Sequence, residues 1–438
     1  MPSTRTGNVK RWLGTGVAIA LSASLFGGSA LAQDDSVVML STQLAPEAEA
    51  QKMRDVILAG FDGSVEFVSA DPGAILIDTI RSEAAAGSGD VGVAGALHGE
   101  LASLAADDLL MDLSDLAAEL DISPTFLELG RLGTDQQLYI PWMQATYIMA
   151  ARTDALEHLP DGADLNALTW DQVRDWGAAL QEATGERLLG FPAGTDGLRH
   201  RLLQGYLYPS FTGGVNTTFA TAEGIAMWEW LRDTWQYVNS QSTSYGFMQE
   251  PLQSGEVAVA WDHTARLIEA LRSDPEGFVA FPSPAGPAGR AFMPVIAGLA
   301  IPKTAPDPEG AMNLIRHLVQ PETQALTLQQ VSFFPVLSGE ISAEVDAGVQ
   351  AQLDAIAGQS NASDALPALL PVGLGDQGGA YSDVFTNALT QIIVDGGDPA
   401  TVLAGLAPQL QEVLDTAGAP CWLPDPPSEG VCQGGVAE

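Results

Sequence analysis

Cysteine, histidine and positive charge are scarce in this 438-residue chain. Its only cysteines, Cys421 and Cys432, stand near the end with no histidine beside them, which leaves no Cys/His metal set. The five histidines, His98, His158, His200, His263 and His317, are scattered, and none pairs at metal-ligand spacing. Lysine occurs only as Lys10, Lys52 and Lys303, and 18 Lys+Arg face 55 Asp+Glu for a formal net charge of -37. A binder of phosphate polyanions needs basic stripes to displace counterions, so nucleic acid is excluded as a partner. Also missing are a Gly-x-Ser-x-Gly elbow, a His-Glu-x-x-His pair, a phosphate-cradling loop and a Gly-x-Gly-x-x-Gly turn after a strand. No catalytic residue, metal or cofactor is therefore expected, although a pair of acids acting on a glycan would leave no motif, because its spacing exists only in the fold.

What is present is apolar substance. Apolar residues make up 46% of the chain, enough to offset ordering entropy, and the length allows two or three units at roughly 150 residues each. The acidic surplus would repel itself in dilute buffer. It suits a saline habitat, where at 1 M salt the screening length falls to about 3 Å.

Residues 1–32 read as a signal peptide: Arg5, Lys10 and Arg11 precede an apolar run from Trp12 to Phe26, and Ala30-Leu31-Ala32 offers small residues for cleavage. No cysteine follows to carry a lipid, so a freely diffusing periplasmic protein is expected. No later stretch approaches the roughly 20 apolar residues of a membrane span. In an exported chain Cys421 and Cys432 are expected to form one disulfide, worth about 3 kcal/mol by loop closure; two free thiols are the alternative.

Apolar strands alternate with helical patterns from the start: Val37–Leu40, a helix over Pro46–Leu58, Ser64–Ser69, a helix over Ile75–Ala86, then Asp90–Ala94. This order predicts an α/β sheet with parallel strands and helices on both faces. Ligands of such sheets bind beyond the carboxyl ends of the strands, which puts Ser41-Thr42-Gln43, Ser69-Ala70-Asp71 and Gly95 to His98 on one rim. Thr169 to Gln172 forms a capping box, and Asp307-Pro308 and Asp398-Pro399 each set an N-cap before a first-turn proline. Val402, Leu403, Leu406, Leu410, Val413 and Leu414 trace one apolar stripe ending near Gly418. The Gly/Pro-rich segment 281–289 reads as a connection between lobes.

Several segments together resemble the extracellular solute-binding proteins of bacterial ABC transporters, in the carbohydrate-binding family 1 that includes maltose-binding proteins. They are Leu138-Tyr-Ile-Pro-Trp142, Ala145 to Ala151, Leu168-Thr-Trp-Asp-Gln172, Gly190-Phe-Pro192, Gly255 to Trp261, Gly298 to Lys303, and Tyr381 to Leu389 followed by Asp398 to Leu414. The resemblance implies an α/β, two-lobed clamp of the periplasmic-binding-protein type II, with interlobe crossovers and a hinge. Its implied divisions are 1–32 signal peptide, 33–142 and 291–332 first lobe, 143–290 and 333–418 second lobe with the C-terminal helices, and 419–438 a disulfide-bearing tail outside the general pattern.

A sugar cleft needs aromatic platforms beside hydrogen-bonding groups. Trp142, next to the crossover proline, and Trp261, at a strand end with Asp262 and His263, are the expected platforms, with lobe packing the competing role. Asp262 would either serve the cleft or be held by Arg266 in a structural ion pair. Arg199 to Tyr208 concentrates basic, amide and phenol groups, and on a helix Gln204 and Tyr208 would share a face. Tyr381, His98 and Thr42 complete the candidates. The function so implied is capture of a neutral sugar or oligosaccharide for ABC permease subunits, by a monomer that catalyses nothing. Trp261→Ala would then weaken binding and spare the fold. The alternatives are the same clamp holding a polyamine, a compatible solute or ferric ion on Tyr206 and Tyr208, or a secreted glycan-cleaving enzyme.

Overall fold

The computed structural model describes residues 36–70, 73–338 and 345–435. The segment read as a signal peptide and Asp71 lie outside them. In chain order the described strands are β1 (Ser36–Ser41), β2 (Ser64–Ser69), β3 (Val91–Leu97), β4 (Ile140–Ala145), β5 (Tyr147–Arg152), β6 (Leu189–Gly190), β7 (Val259–His263), β8 (Phe278–Phe281), β9 (Arg290–Phe292), β10 (Val295–Ala300) and β11 (Ala365–Pro367).

Two sheets organise the chain. The first has the order β2-β1-β3-β10-β4, the second β6-β7-β5-β8, and β9 pairs separately with β11. β1 runs parallel to β2 and β3, as the alternation of apolar runs and helices predicts. The expectation of parallel strands fails at β10, which is antiparallel to both β3 and β4. The second sheet repeats this, with β5 antiparallel to β7 and β8 while β6 and β7 are parallel. The reversed strands have a common cause. β4 ends at Ala145 in the first sheet and β5 begins at Tyr147 in the second, so one residue, Thr146, separates the sheets. A strand entering a sheet at the rim its neighbours exit from must run against them. β10 enters the first sheet in the same way, Val295 pairing with Ala145.

The passages between the sheets are tied together by buried polar groups. The Tyr206 hydroxyl accepts the N–H of Tyr147 at 3.1 Å and that of Met293 at 3.2 Å, and lies 3.1 Å from Thr146 Oγ1. Thr146 Oγ1 donates to the Met293 carbonyl at 2.9 Å, and Gln144 exchanges backbone bonds with Phe334. Tyr206 is fully buried, so these N–H groups have no water to turn to.

Helices pack as their caps foretell. Trp170–Thr184 starts at a Thr169/Gln172 capping box, buries Trp170, Val173, Trp176 and Leu180, and stops at Gly185, whose φ of 76° favours glycine. Pro399–Ala417 starts at Asp398, buries Leu403, Leu406, Leu410, Val413 and Leu414, and ends at the left-handed Gly418. Beyond it Cys421 is bonded to Cys432, Trp422 packs edge-on to Tyr381, and the buried Asp425 carboxylate accepts the N–H groups of Val215, Asn216 and Thr217. No helix among the described residues is long and apolar enough to cross a membrane.

Replacing Tyr206 by Phe removes the acceptor of two buried N–H groups while keeping the ring, so urea denaturation should show a loss of about 2–4 kcal/mol. An unchanged midpoint would mean that the crossing strands do not depend on this hydroxyl.

Candidate functional site

The carboxyl ends of β1, β3 and β7 and the first residues of β5 and β10 enclose a cavity of about 430 Å³ between the two sheets. Thr42, Gln43, Glu49, Leu97 and Glu100 line it from the first sheet's side; Asp196, His200, Arg201, His263 and Arg266 line it from the second. Tyr147 and Phe333 supply aromatic surface at its floor. A second hollow of about 690 Å³ adjoins it and shares Pro46, Glu49, Ala265 and Arg266, so the cleft is elongated.

Local structure explains these positions. Thr42 follows β1 directly, and its hydroxyl donates to Glu100 at 2.8 Å while accepting from Gln43 Nε2 at 3.0 Å. His263 ends β7, and its Nδ1 accepts the Ala265 N–H at 3.2 Å. Burial and the nearby Arg266 push this imidazole down to about 3, so the ring is neutral with its proton on Nε2. Burial lifts the Tyr147 phenol to about 12, so its hydroxyl remains protonated. It also lifts the Glu49 carboxyl to about 7 against the opposing pull of Arg266 and Lys52. His200 is held neutral, its pKa lowered by burial and then by Arg201 and Arg199.

Of the candidate ligand residues named from sequence, Thr42 and His263 line this cavity, together with Gln43 and Leu97 of the rim segments and His200 and Arg201 of the Arg199–Tyr208 segment; the other candidates do not. Trp261 is fully buried, stacked beneath Tyr147 with centroids 4.8 Å apart and planes 4° from parallel, and edge-on to Tyr206. It shares a face of β7 with His263 but sits two residues back, about 6.6 Å further from the rim. Trp142 is set three residues back in β4 and is likewise fully buried. Neither indole lines the cavity, whose aromatic lining consists of the rings of Tyr147 and Phe333.

Asp262 points the opposite way along the strand and is fully buried. Its carboxylate accepts the N–H groups of Met248 and His263, and burial raises it to about 7. Arg266 does not pair with it, but donates to the Gly246 carbonyl at 3.0 Å and stacks on Phe247 at 4.1 Å.

Gln204 and Tyr208 do not form a ligand-facing pair. The helix Arg199–Leu202 passes into a π-turn over Leu203–Leu207, which adds a residue to the turn and breaks the four-residue register. Both side chains are buried, and Tyr208 donates to the Phe219 carbonyl and accepts from Trp228 Nε1. Burial raises the pKa of Tyr206 and Tyr208, and neither phenol lines the cavity. Tyr381 is buried too, its hydroxyl donating to Asn216 Oδ1. Arg199 donates to the Ala193 carbonyl outside the cavity. His98 lines a separate hollow, its Nδ1 2.8 Å from the Tyr139 hydroxyl.

Glu49, Tyr147, Arg201, Arg266 and Phe333 were not chosen as ligand groups from sequence. Tyr147 had one usable signal, its place immediately after the crossover; Arg201 had another, the local crowding of arginine in a chain poor in it.

The model of the bacterial extracellular solute-binding protein family matches residues 47–325. No curated protein matches the chain. Among solved structures, maltose-bound MalE3 of Thermotoga maritima superposes with a TM-score of 0.68 at 18% identity, over 86% of this chain and 100% of that one. UgpB of Mycobacterium tuberculosis, in complex with glycerophosphocholine, gives 0.68 at 19% identity over 87% and 98%. The sugar-binding protein MalE of Xanthomonas citri gives 0.66 at 17% identity over 87% and 98%. These likenesses are to two-lobed α/β clamps, the fold expected from sequence. The chain belongs to the bacterial extracellular solute-binding protein family.

Proposed function

We propose that this protein captures a sugar or oligosaccharide between two closing lobes and delivers it to the permease subunits of an ABC importer, as a periplasmic monomer that carries out no reaction. The observation that carries this reading is an elongated cleft between two sheets, floored by aromatic rings and walled by hydrogen-bonding groups, in a chain of the solute-binding family. The maltose complex and a chitin oligosaccharide binding protein among the structural neighbours support a sugar as the solute. The reading of residues 1–32 as a signal peptide cleaved after Ala32, with no cysteine to be lipidated, supports release into the periplasm.

The lobes would be the two sheets with their helices, joined where Thr146, Met293 and Phe334 pass between them. Ligand bound by both walls favours the closed arrangement over the open one, and that difference in affinity drives closure. Arginine in the cleft disfavours a polyamine, and the buried phenols of Tyr206 and Tyr208 disfavour ferric ion.

A thermal-shift and calorimetry screen with mono- and oligosaccharides, polyamines and ferric ion tests this directly. Binding is expected from sugars, with the sugar recovered unaltered. A melting shift from a polyamine or ferric ion alone, or cleavage of the sugar, would contradict the proposal.

Two substitutions separate the floor of the cleft from its support. The Tyr147 hydroxyl has no hydrogen-bond partner among the described residues, so Tyr147→Phe should cost the sugar about 1 kcal/mol of binding, roughly fivefold in affinity, and leave the melting temperature unmoved. Trp261 lies wholly in the packing beneath it, so Trp261→Ala should destabilise the protein by about 3–5 kcal/mol in chemical denaturation. Full stability in Trp261→Ala would show that the stacked pair is not part of the core.

A further inference from the structure

Positive charge is the rarest resource of this chain, and most of it is already neutralised. Among the described residues, ten of the fifteen lysines and arginines form an ion pair with a carboxylate. Of the other five, Arg187 and Arg232 are exposed on the surface and Arg199 is bonded to a backbone carbonyl. The remaining two, Arg201 and Arg266, both line the cavity.

Among the described residues Arg201 has no ion pair, and its Nη1 is buried without a hydrogen-bond partner. Among the described residues Arg266 forms no ion pair: it donates to the carbonyl oxygens of Gly246 and Asp196, lies over the face of Phe247, and acts on the Glu49 and Asp262 carboxyls through space. With 55 acids in the chain, a carboxylate partner for either guanidinium would be easy to supply. Among the described residues three carboxyls, Glu49, Glu100 and Asp196, face the same cavity, and none forms an ion pair with these arginines. Glu100 is engaged by Thr42 and by the Leu97 N–H, Asp196 accepts from Arg266 only through its carbonyl, and Glu49 is raised to about 7. The neighbouring rings cannot neutralise the charge either, because His200 and His263 are neutral and the Tyr147 phenol is protonated.

The cavity is therefore polarised across its width. Acceptors stand on the side of β1 and β3, at Thr42, Gln43 and Glu100, while two unpaired guanidiniums stand on the side of β7. Closure on a neutral guest would strip water from both cations while Arg266 keeps only the half-protonated Glu49 and Asp262 carboxyls nearby and Arg201 keeps no ion-pair partner among the described residues, which is costly in a low-dielectric site. A guanidinium fork matches the geometry of carboxylate and phosphate oxygens. We propose that the captured sugar carries an anionic group, a carboxylate or a phosphate, held by Arg201 and Arg266 while its hydroxyls face Thr42, Gln43 and Glu100. This rests on the sugar reading above and narrows it from a neutral sugar to an acidic one. The surface charge does not oppose it beyond the first layers of solvent, since at physiological ionic strength screening acts over about 8 Å.

Calorimetry on the mature protein with matched probes tests the assignment: galacturonate and its dimer against galactose and galactobiose, and glucose 6-phosphate and glycerophosphocholine against glucose and glycerol. The anionic member of at least one pair should bind at least tenfold more tightly than its neutral counterpart, and the difference should shrink as salt rises from 0.05 to 0.5 M. The two sets distinguish carboxylate from phosphate. Arg201→Gln and Arg266→Gln should each lower the affinity for the acid tenfold or more and that for the neutral partner less than threefold, whereas Arg187→Gln, on the exposed surface, should alter neither. If either cavity variant fails to fold, the salt dependence of the unaltered protein decides. A neutral sugar bound as tightly as its acid overturns this inference and leaves the sugar reading standing. No binding by any sugar, acidic or neutral, overturns both.

Discussion

A single phenol hydroxyl, that of Tyr206, is the acceptor on which the joint between the two sheets depends. It receives the N–H groups of Tyr147 and Met293, which belong to the two segments that carry the chain from one sheet to the other. These segments lie side by side where they cross, and although the Thr146 carbonyl accepts the Thr264 N–H at the end of the second sheet's ladder, the N–H groups of Tyr147 and Met293 turn to a side chain. That side chain is rooted in the neighbouring π-turn, and Thr146 and Gln359 extend the network. Because the bonds lie at the joint and not across the cleft, they can hold its strands in register without fixing the two walls at one separation.

The cleft inherits its chemistry from that joint. Tyr147 is both the residue whose N–H is held by Tyr206 and the ring that floors the cavity, so the platform is positioned by backbone and not by side-chain packing alone. Trp261 stacks beneath it and Tyr206 meets both edge-on, a three-ring support that fixes the plane of Tyr147. Burial then sets the protonation of the wall: the imidazoles stay neutral and the phenol stays a donor, which suits hydroxyl-rich guests. The two arginines are the exception, charges that cannot be neutralised by losing a proton.

Much of the architecture was legible because it depends on local signals. Apolar runs marked β2 to the residue, β1 to within one residue at each end and β3 three residues short of its carboxyl end, and Thr169, Asp307 and Asp398 announced their helices through side-chain caps that act within four residues. The reversed strands were not legible, since nothing in Val295–Ala300 differs in composition from a parallel strand; its direction follows from where the chain comes from. The site was legible to the level of the strand and no finer. The rim rule led to the ends of β1 and β7, and so to Thr42 and His263, but it could not tell that Trp261 lies one pleat too deep, or that Gln204 falls on a π-turn. Asp262 illustrates the same limit, because a choice between pairing with Arg266 and facing the cleft is made by three-dimensional neighbours.

The central claim is that a hinge at Thr146, Met293 and Phe334 lets two lobes close on a guest. Small-angle X-ray scattering with and without a bound sugar tests it most directly. The radius of gyration should fall on binding, and the scattering of the loaded protein should fit a closed form and not the unloaded one. Identical scattering curves at saturating sugar would contradict closure and leave a rigid receptor in its place.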